Sequence, residues 1–234
     1  MARSATDTRF TSALAEELSD GVLERFLRYV AIDTQANPDS TAYPSTAKQL
    51  DLSRLLAHEL RELGVSDVEL TKHGYVFGTV PGTVPEAPVV GLIAHVDTAP
   101  GTSGTNVRPE VHRGWDGTPI RLTGDPSQVL DPAEQPALAE RVGHDLVTSD
   151  GTTLLGADDK AGVAIIVSVA ERLLAEGGPH ATLRIGFTVD EEVGRGTDHF
   201  DLAAFGADFA YTFDGSGLGE VEVETFSASQ LVLT

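Results

Sequence analysis

Four short segments place acids and one histidine directly after apolar runs. They carry His95 and Asp97 in "HVDTAP", Asp158 and Asp159 in "TLLGADDKAGVA", Asp190, Glu191 and Glu192 in "FTVDEEVGRG", and Asp214 in "YTFDG". Asp158, Asp159 and Lys160 sit where burial should begin, so something must compensate the charge: a helix cap, a surface loop or a bound cation. Residues two apart in a strand face the same way, so His95 and Asp97 can touch. A carboxylate that fixes the tautomer of a metal-bound imidazole has this relationship; so does a buried histidine simply satisfied by its neighbour. On a regular strand, Glu191 and Glu192 point to opposite sides, so one can bind metal while the other faces a water. The plain alternative is a solvated strand end. Asp214 before Gly215 can be an ordinary turn former. Asp158 and Asp159 precede a helix that begins near Ala161, where capping needs only one aspartate and leaves the second unexplained.

Five carboxylates gathered around one histidine repel each other severely unless cations intervene. Oxygen and imidazole ligands without thiolate suit zinc, manganese or cobalt. Two such ions roughly 3.5–4 Å apart, bridged by a carboxylate, make a hydrolytic site in which a bound water loses its proton near neutral pH. A further acid, unbound to metal, then serves as general base.

The flanking patterns supply the elements that bring these groups together. Leu14, Leu18, Val22, Phe26 and Val30 recur at four-residue intervals and predict a helix over 11–32. A loop broken by Pro38 and Pro44 follows, then a second amphipathic helix over 46–63 that ends at Gly64. Residues 67–81 read as two short strands around a turn at His73-Gly74. "APVVGLIAHVD" has the continuous apolar character of a strand buried on both faces. Residues 98–151, rich in Gly, Pro, Thr and Asp, form a long excursion with short elements. An apolar helix over 161–175 and two strands ending in acids complete the pattern, with "EVEVETFSASQLVLT" as a last alternating strand. Strands alternating with helices predict an α/β fold with a mostly parallel sheet flanked by helices. In such sheets ligands bind beyond the carboxyl ends of the strands, and the four charged segments converge there.

Composition narrows the function further. The chain has 234 residues, 36 acids against 16 bases and a net charge of -20, so nucleic acid and anionic membrane are poor partners. No apolar run approaches the length of a membrane span, and the first residues lack the apolar core of a secretory signal. The absence of cysteine excludes disulfides and thiolate chemistry and is compatible with a cytoplasmic location. "DGSGLG" at 214–219 is followed by alternating "EVEVETF" where a nucleotide fold needs a helix, and no GxSxG occurs. His58, His73, His112, His144, His180 and His199 are scattered and read as structural or surface groups.

Taken together and in order, the four motifs closely resemble the peptidase T family of tripeptide aminopeptidases. That family lies in the clan of two-zinc aminoacylase- and carboxypeptidase-type metallopeptidases. "DTQ" at 33–35, "PST" at 44–46, "SGTNVRP" at 103–109 and "HFD" at 199–201 add to the likeness, which runs from about Leu23 to the last residue. The resemblance implies one zinc held by His95, Asp158 and Asp214, and a second held by Asp158 as a bridge and by Glu192. It implies Glu191 as general base, Asp97 as the group that orients His95, and a cis peptide bond between Asp158 and Asp159. Manganese or cobalt can stand in for zinc. The implied activity removes the first residue from short peptides, chiefly tripeptides. A related dipeptidase, an N-acyl amino acid deacylase and a non-catalytic metal-binding fragment are the alternatives. In the family a lid domain follows, and the returning chain supplies a final histidine to the second zinc. Residues 1–225 would then be the N-terminal portion of the catalytic domain and 226–234 the start of the lid. The oligomeric state is open.

Overall fold

A computed structural model describes residues 10–215 and 220–223. Helix α1 (Ala13–Val30) opens on Ser12, whose Oγ accepts the Ala15 N–H at 3.1 Å, and it buries Phe26, Tyr29 and Val30. Helix α2 (Gln49–Glu62) buries Leu52, Leu56 and Leu60, one turn apart, and stops where Gly64 takes a φ of 88°. Next come β1 (Ser66–Leu70) and β2 (Val76–Val80), an antiparallel hairpin, and then β3 (Val90–His95).

The excursion contains β4 (Glu110–His112), β5 (Ile120–Arg121), β6 (Val129–Leu130), α3 (Pro136–Ala139) and β7 (Leu146–Thr148). Strand β4 pairs with β7 and β5 with β6, around a small cluster of Trp115, Ile120 and Leu122. The chain then enters α4 (Ala157–Glu176), β8 (Leu183–Thr188), a 3-10 turn at Glu191–Val193, α5 (Leu202–Phe205) and β9 (Phe209–Thr212).

The main sheet has the order β1-β2-β8-β3-β9. Strands β8, β3 and β9 are parallel, with His95 opposite Thr188 and Ile93 opposite Thr212, so their carboxyl ends lie side by side. The hairpin makes the sheet mixed, because a short turn joins only antiparallel strands. Val163, Ile166, Val167 and Ala170 of α4 are buried in the main core with Leu92, Ile185 and Phe187 of the sheet. Arg25 of α1 donates to Glu59 of α2 at 3.0 Å and to Ser168 of α4 at 3.1 Å, which links these three helices.

The predicted last strand differs from what is found. Residues 220–223 have no regular structure and are exposed, with no neighbouring strand among the described residues to pair their backbone, and residues 224–234 lie outside the described part. Among the described residues no helix is long and apolar enough to cross a membrane.

Candidate metal centre

Strand β3 delivers His95 and, two residues on, Asp97 to the carboxyl edge, where both are buried. The His95 Nδ1 lies 3.1 Å from the Asp97 backbone carbonyl and 3.4 Å from its Oδ1. Donation to this carbonyl leaves Nε2 free to act as a lone-pair donor. Burial would lower the His95 pKa, but the Asp97, Asp159 and Asp214 carboxylates outweigh it and raise it to about 10.

The start of α4 is not helical at its two aspartates. Asp158 (φ -78°, ψ 113°) and Asp159 (φ -115°, ψ 31°) break the helix, and the bond between them is cis. The regular helix therefore begins at Lys160. Asp159 is its cap: Oδ1 accepts the Gly162 N–H at 3.2 Å while Oδ2 accepts the His95 N–H at 3.1 Å. One residue thus ties α4 to β3, and burial pushes its carboxyl up to about 8, helped by Asp214 and Asp158. The preceding Asp158 projects outward, with Oδ1 3.0 Å from His95 Nε2 and its side chain 68% exposed. Lys160 is buried, donates to the Ile32 carbonyl at 2.7 Å, and is driven by burial down to about 8.

Regular strand geometry was expected to carry Glu191 and Glu192 to opposite faces. Instead β8 ends at Thr188, Asp190 takes a left-handed φ of 60°, and both glutamates fall in a 3-10 turn. The left-handed residue bends the chain away from the sheet plane. It turns the Glu191 and Glu192 N–H groups onto the Asp97 carboxylate, one to each oxygen, both at 3.1 Å. The remaining acid, Asp214, follows β9.

All the predicted residues except Asp97 and Glu192 present an oxygen within 4 Å of His95 Nε2: Asp158 at 3.0 Å, Asp214 at 3.8 Å and Glu191 at 3.9 Å. Two triads have ligand atoms within 4.8 Å of one another, His95–Glu191–Asp214 and His95–Asp158–Glu192. These triads divide the residues differently from the sets the resemblance implied, in which Asp158 and Asp214 share one ion. Glu191, Glu192 and Asp214 all have raised pKa values, first because of burial and then because of their acidic neighbours, against the pull of His95.

The donor set fits a divalent ion. Nitrogen and oxygen ligands about 2.0–2.2 Å from a tetrahedral metal stand about 3.4 Å apart, and the separations of 3.0 and 3.8 Å from His95 Nε2 bracket that edge. The acids also crowd enough to suppress their own ionisation, a condition that a cation relieves.

The motif reading left the roles of two residues open. Asp190 is fully buried and bonds to Ser45 and Gln49, and Lys160 lies inside the fold. Neither signal is local, because the partners of Asp190 are more than 140 positions away. Among the scattered histidines, His73 and His199 stack on each other with ring centroids 3.9 Å apart, and His112 Nε2 meets Thr148 Oγ1 at 3.1 Å.

No protein-family model matches the chain. A peptidase T from Desulfitobacterium hafniense is 52% identical over 214 residues, a match that takes in 91% of this chain and 52% of that protein. A peptidase T from an Exiguobacterium species is 51% identical over 215 residues, again with 91% of this chain and 52% of the relative covered. Among solved structures, a tripeptidase from Staphylococcus aureus has a TM-score of 0.60 at 26% identity, covering 85% of this chain and 44% of that one. The chain spans about half the length of the curated relatives it matches.

Proposed function

We propose that this chain, which spans about half the length of the peptidase T relatives it matches, carries the metal-binding and proton-transfer residues of an aminopeptidase that cleaves the first residue from tripeptides. The observation that supports this reading is the meeting of His95 Nε2 with Asp158, Asp214 and Glu191 at the carboxyl ends of three parallel strands.

His95, Asp158 and Asp214 would hold one zinc, and Asp158 and Glu192 would contribute to a second. Bound zinc supplies a Lewis acid for the scissile carbonyl and lowers the pKa of water. Asp97 holds His95 in the tautomer that presents Nε2. Its carboxylate also fixes the backbone of the Glu191–Glu192 turn. Glu191 stands at the solvent-facing side of the cluster with its side chain 52% exposed, close to the ligands without being enclosed by them. Its raised pKa suits a group that accepts a proton from the attacking water and passes it to the leaving amine. The carboxylates left at the rim would attract the free ammonium of a short peptide.

The test offers the zinc-loaded protein Xaa-Xaa-Xaa, Xaa-Xaa and N-acetyl amino acid substrates side by side. Preferential release of the first residue from the tripeptide is expected. Preference for the acetylated substrate would make it a deacylase instead, and preference for Xaa-Xaa a dipeptidase.

A further inference from the structure

We infer that Asp190 is the positioning residue for Glu191 and Glu192, holding their turn against the Tyr43–Ser45 segment and the first turn of α2. This rests on the reading of those two glutamates as site carboxylates.

Asp190 belongs to neither metal triad and has no exposed surface. Its Oδ2 accepts the Ser45 N–H at 2.7 Å, and its Oδ1 accepts Ser45 Oγ at 2.5 Å and Gln49 Nε2 at 2.7 Å. Its own N–H donates to Gln49 Oε1 at 3.1 Å, so the amide of Gln49 and the Asp190 residue pair reciprocally. Gln49 is also fully buried, and Ser45 nearly so. The hydrogen-bond donors to this buried carboxylate, from Ser45 and Gln49, are neutral. Burying a carboxylate there carries a desolvation cost that an apolar residue would not. The bend alone does not need it, since glycine adopts a φ of 60° freely. The carboxylate therefore serves a purpose beyond turning the chain.

That purpose is visible in what surrounds the turn. Asp190 anchors the residue before Glu191 to Ser45 and to Gln49 at the start of α2. Beyond Glu192, the Arg195 carbonyl accepts Tyr43 Oη at 3.0 Å, and the Arg195 guanidinium donates to the Ser40 and Ala42 carbonyls at 3.1 and 2.8 Å. The Gly196 carbonyl accepts Tyr75 Oη at 3.1 Å. One stretch, residues 40–45, thus grips the turn on both sides, while Asp97 holds its two N–H groups from within. Hydrogen bonds thus hold the backbone on both sides of Glu191 and Glu192 and at their own N–H groups.

The test follows amide hydrogen exchange of the metal-free chain and its Co2+ affinity by calorimetry, in Ser45→Ala, Gln49→Met and Asp190→Asn. Ser45→Ala removes one donor, Gln49→Met removes one donor and the acceptor of the Asp190 N–H, and both keep the test open should Asp190→Asn fail to fold. Exchange at Glu191 and Glu192 should quicken about tenfold or more, while Ile166, Val167 and Ile185 stay within about twofold. Co2+ affinity should fall about tenfold, as for other groups that support metal ligands. Ser45→Thr, which keeps the hydroxyl, should restore both. Uniform acceleration across all amides, unchanged exchange at the two glutamates, or unchanged Co2+ affinity in an otherwise binding protein overturns the positioning role. Failure of the unsubstituted chain to bind Co2+ overturns the metal reading instead, and the exchange pattern then decides the role of Asp190 alone.

Discussion

Asp97 meets His95 twice: its backbone carbonyl lies 3.1 Å from Nδ1 and its carboxylate 3.4 Å from the same atom. The same carboxylate collects the N–H groups of Glu191 and Glu192. A single residue between β3 and the following turn therefore meets both the nitrogen donor and the acid pair. Asp97→Asn replaces one acceptor oxygen with a donor that faces an N–H group. Zinc affinity measured by calorimetry should drop by about 10–100-fold. Wild-type affinity in this variant would show that Asp97 merely fills space.

Glu191→Gln tests the proposed division between proton transfer and metal binding. The amide keeps the shape of the side chain but accepts no proton, so tripeptide turnover should fall by about 10²–10⁴-fold, with zinc affinity close to that of the unsubstituted protein. A parallel loss of zinc would make Glu191 a ligand instead, as its place in the His95–Glu191–Asp214 triad would allow.

Glu59 gives a prediction about pH that is remote from the site. Burial raises its pKa, but hydrogen bonds from Tyr29, Arg28 and Arg25 more than reverse this, leaving it below the ordinary carboxylate value. Its oxygens accept Tyr29 Oη at 2.8 Å, Arg28 at 2.9 Å and Arg25 at 3.0 Å. A carboxyl with a lowered folded pKa contributes stability above its unfolded value, and that contribution is lost as pH falls through the folded one. Glu59→Gln should cost about 1.5–3 kcal/mol near pH 7. The gap between the two proteins in thermal or urea unfolding should close below the usual carboxylate range.

Gly162→Ala tests the joint between α4 and β9. A Cβ at this position would lie 2.4 Å from Asp159 Oδ1 and 2.4 Å from the Phe213 carbonyl, so either the cap or the residue before Asp214 must move. Overpacking of this kind costs about 1–3 kcal/mol. Because Asp158 and Asp214 flank the clash, zinc affinity should fall together with the unfolding midpoint. A drop in stability at full zinc affinity would show that the site relaxes independently of this joint.

The parts of the fold carried by local pattern were legible in the sequence. Four-residue spacing marks α1 and α2, and apolar runs ending in acids mark β3, β8 and β9, so the common edge for His95, Asp158 and Asp214 follows from topology. What was not legible depends on distant partners. Nothing around Asp190 reveals that Ser45 and Gln49 will surround it, or that its left-handed backbone will convert an expected strand end into a turn. The Asp158–Asp159 pair shows the same limit at short range. Spacing explains one aspartate as a cap without saying which; the resemblance implies Asp158 as the ligand, and the backbone break shows Asp159 as the cap and Asp158 facing His95. At 220–223 the alternating pattern meets no regular structure among the described residues, while the rest of that expected strand lies outside them.

The donors of the centre come from widely separated parts of the chain: Asp158 is 63 positions from His95, and Glu191 is 94 from Asp97. No short peptide loop could preassemble them, and closing such long loops is among the slow events of folding. A cation would find no ligand cluster in the unfolded chain and little in a transition state that has yet to bring β3, β8 and β9 together. It would act as a late lock rather than a seed. Saturating zinc should leave the refolding rate nearly untouched and express its whole stabilisation as slower unfolding, making the loaded protein persistent more than quick to form.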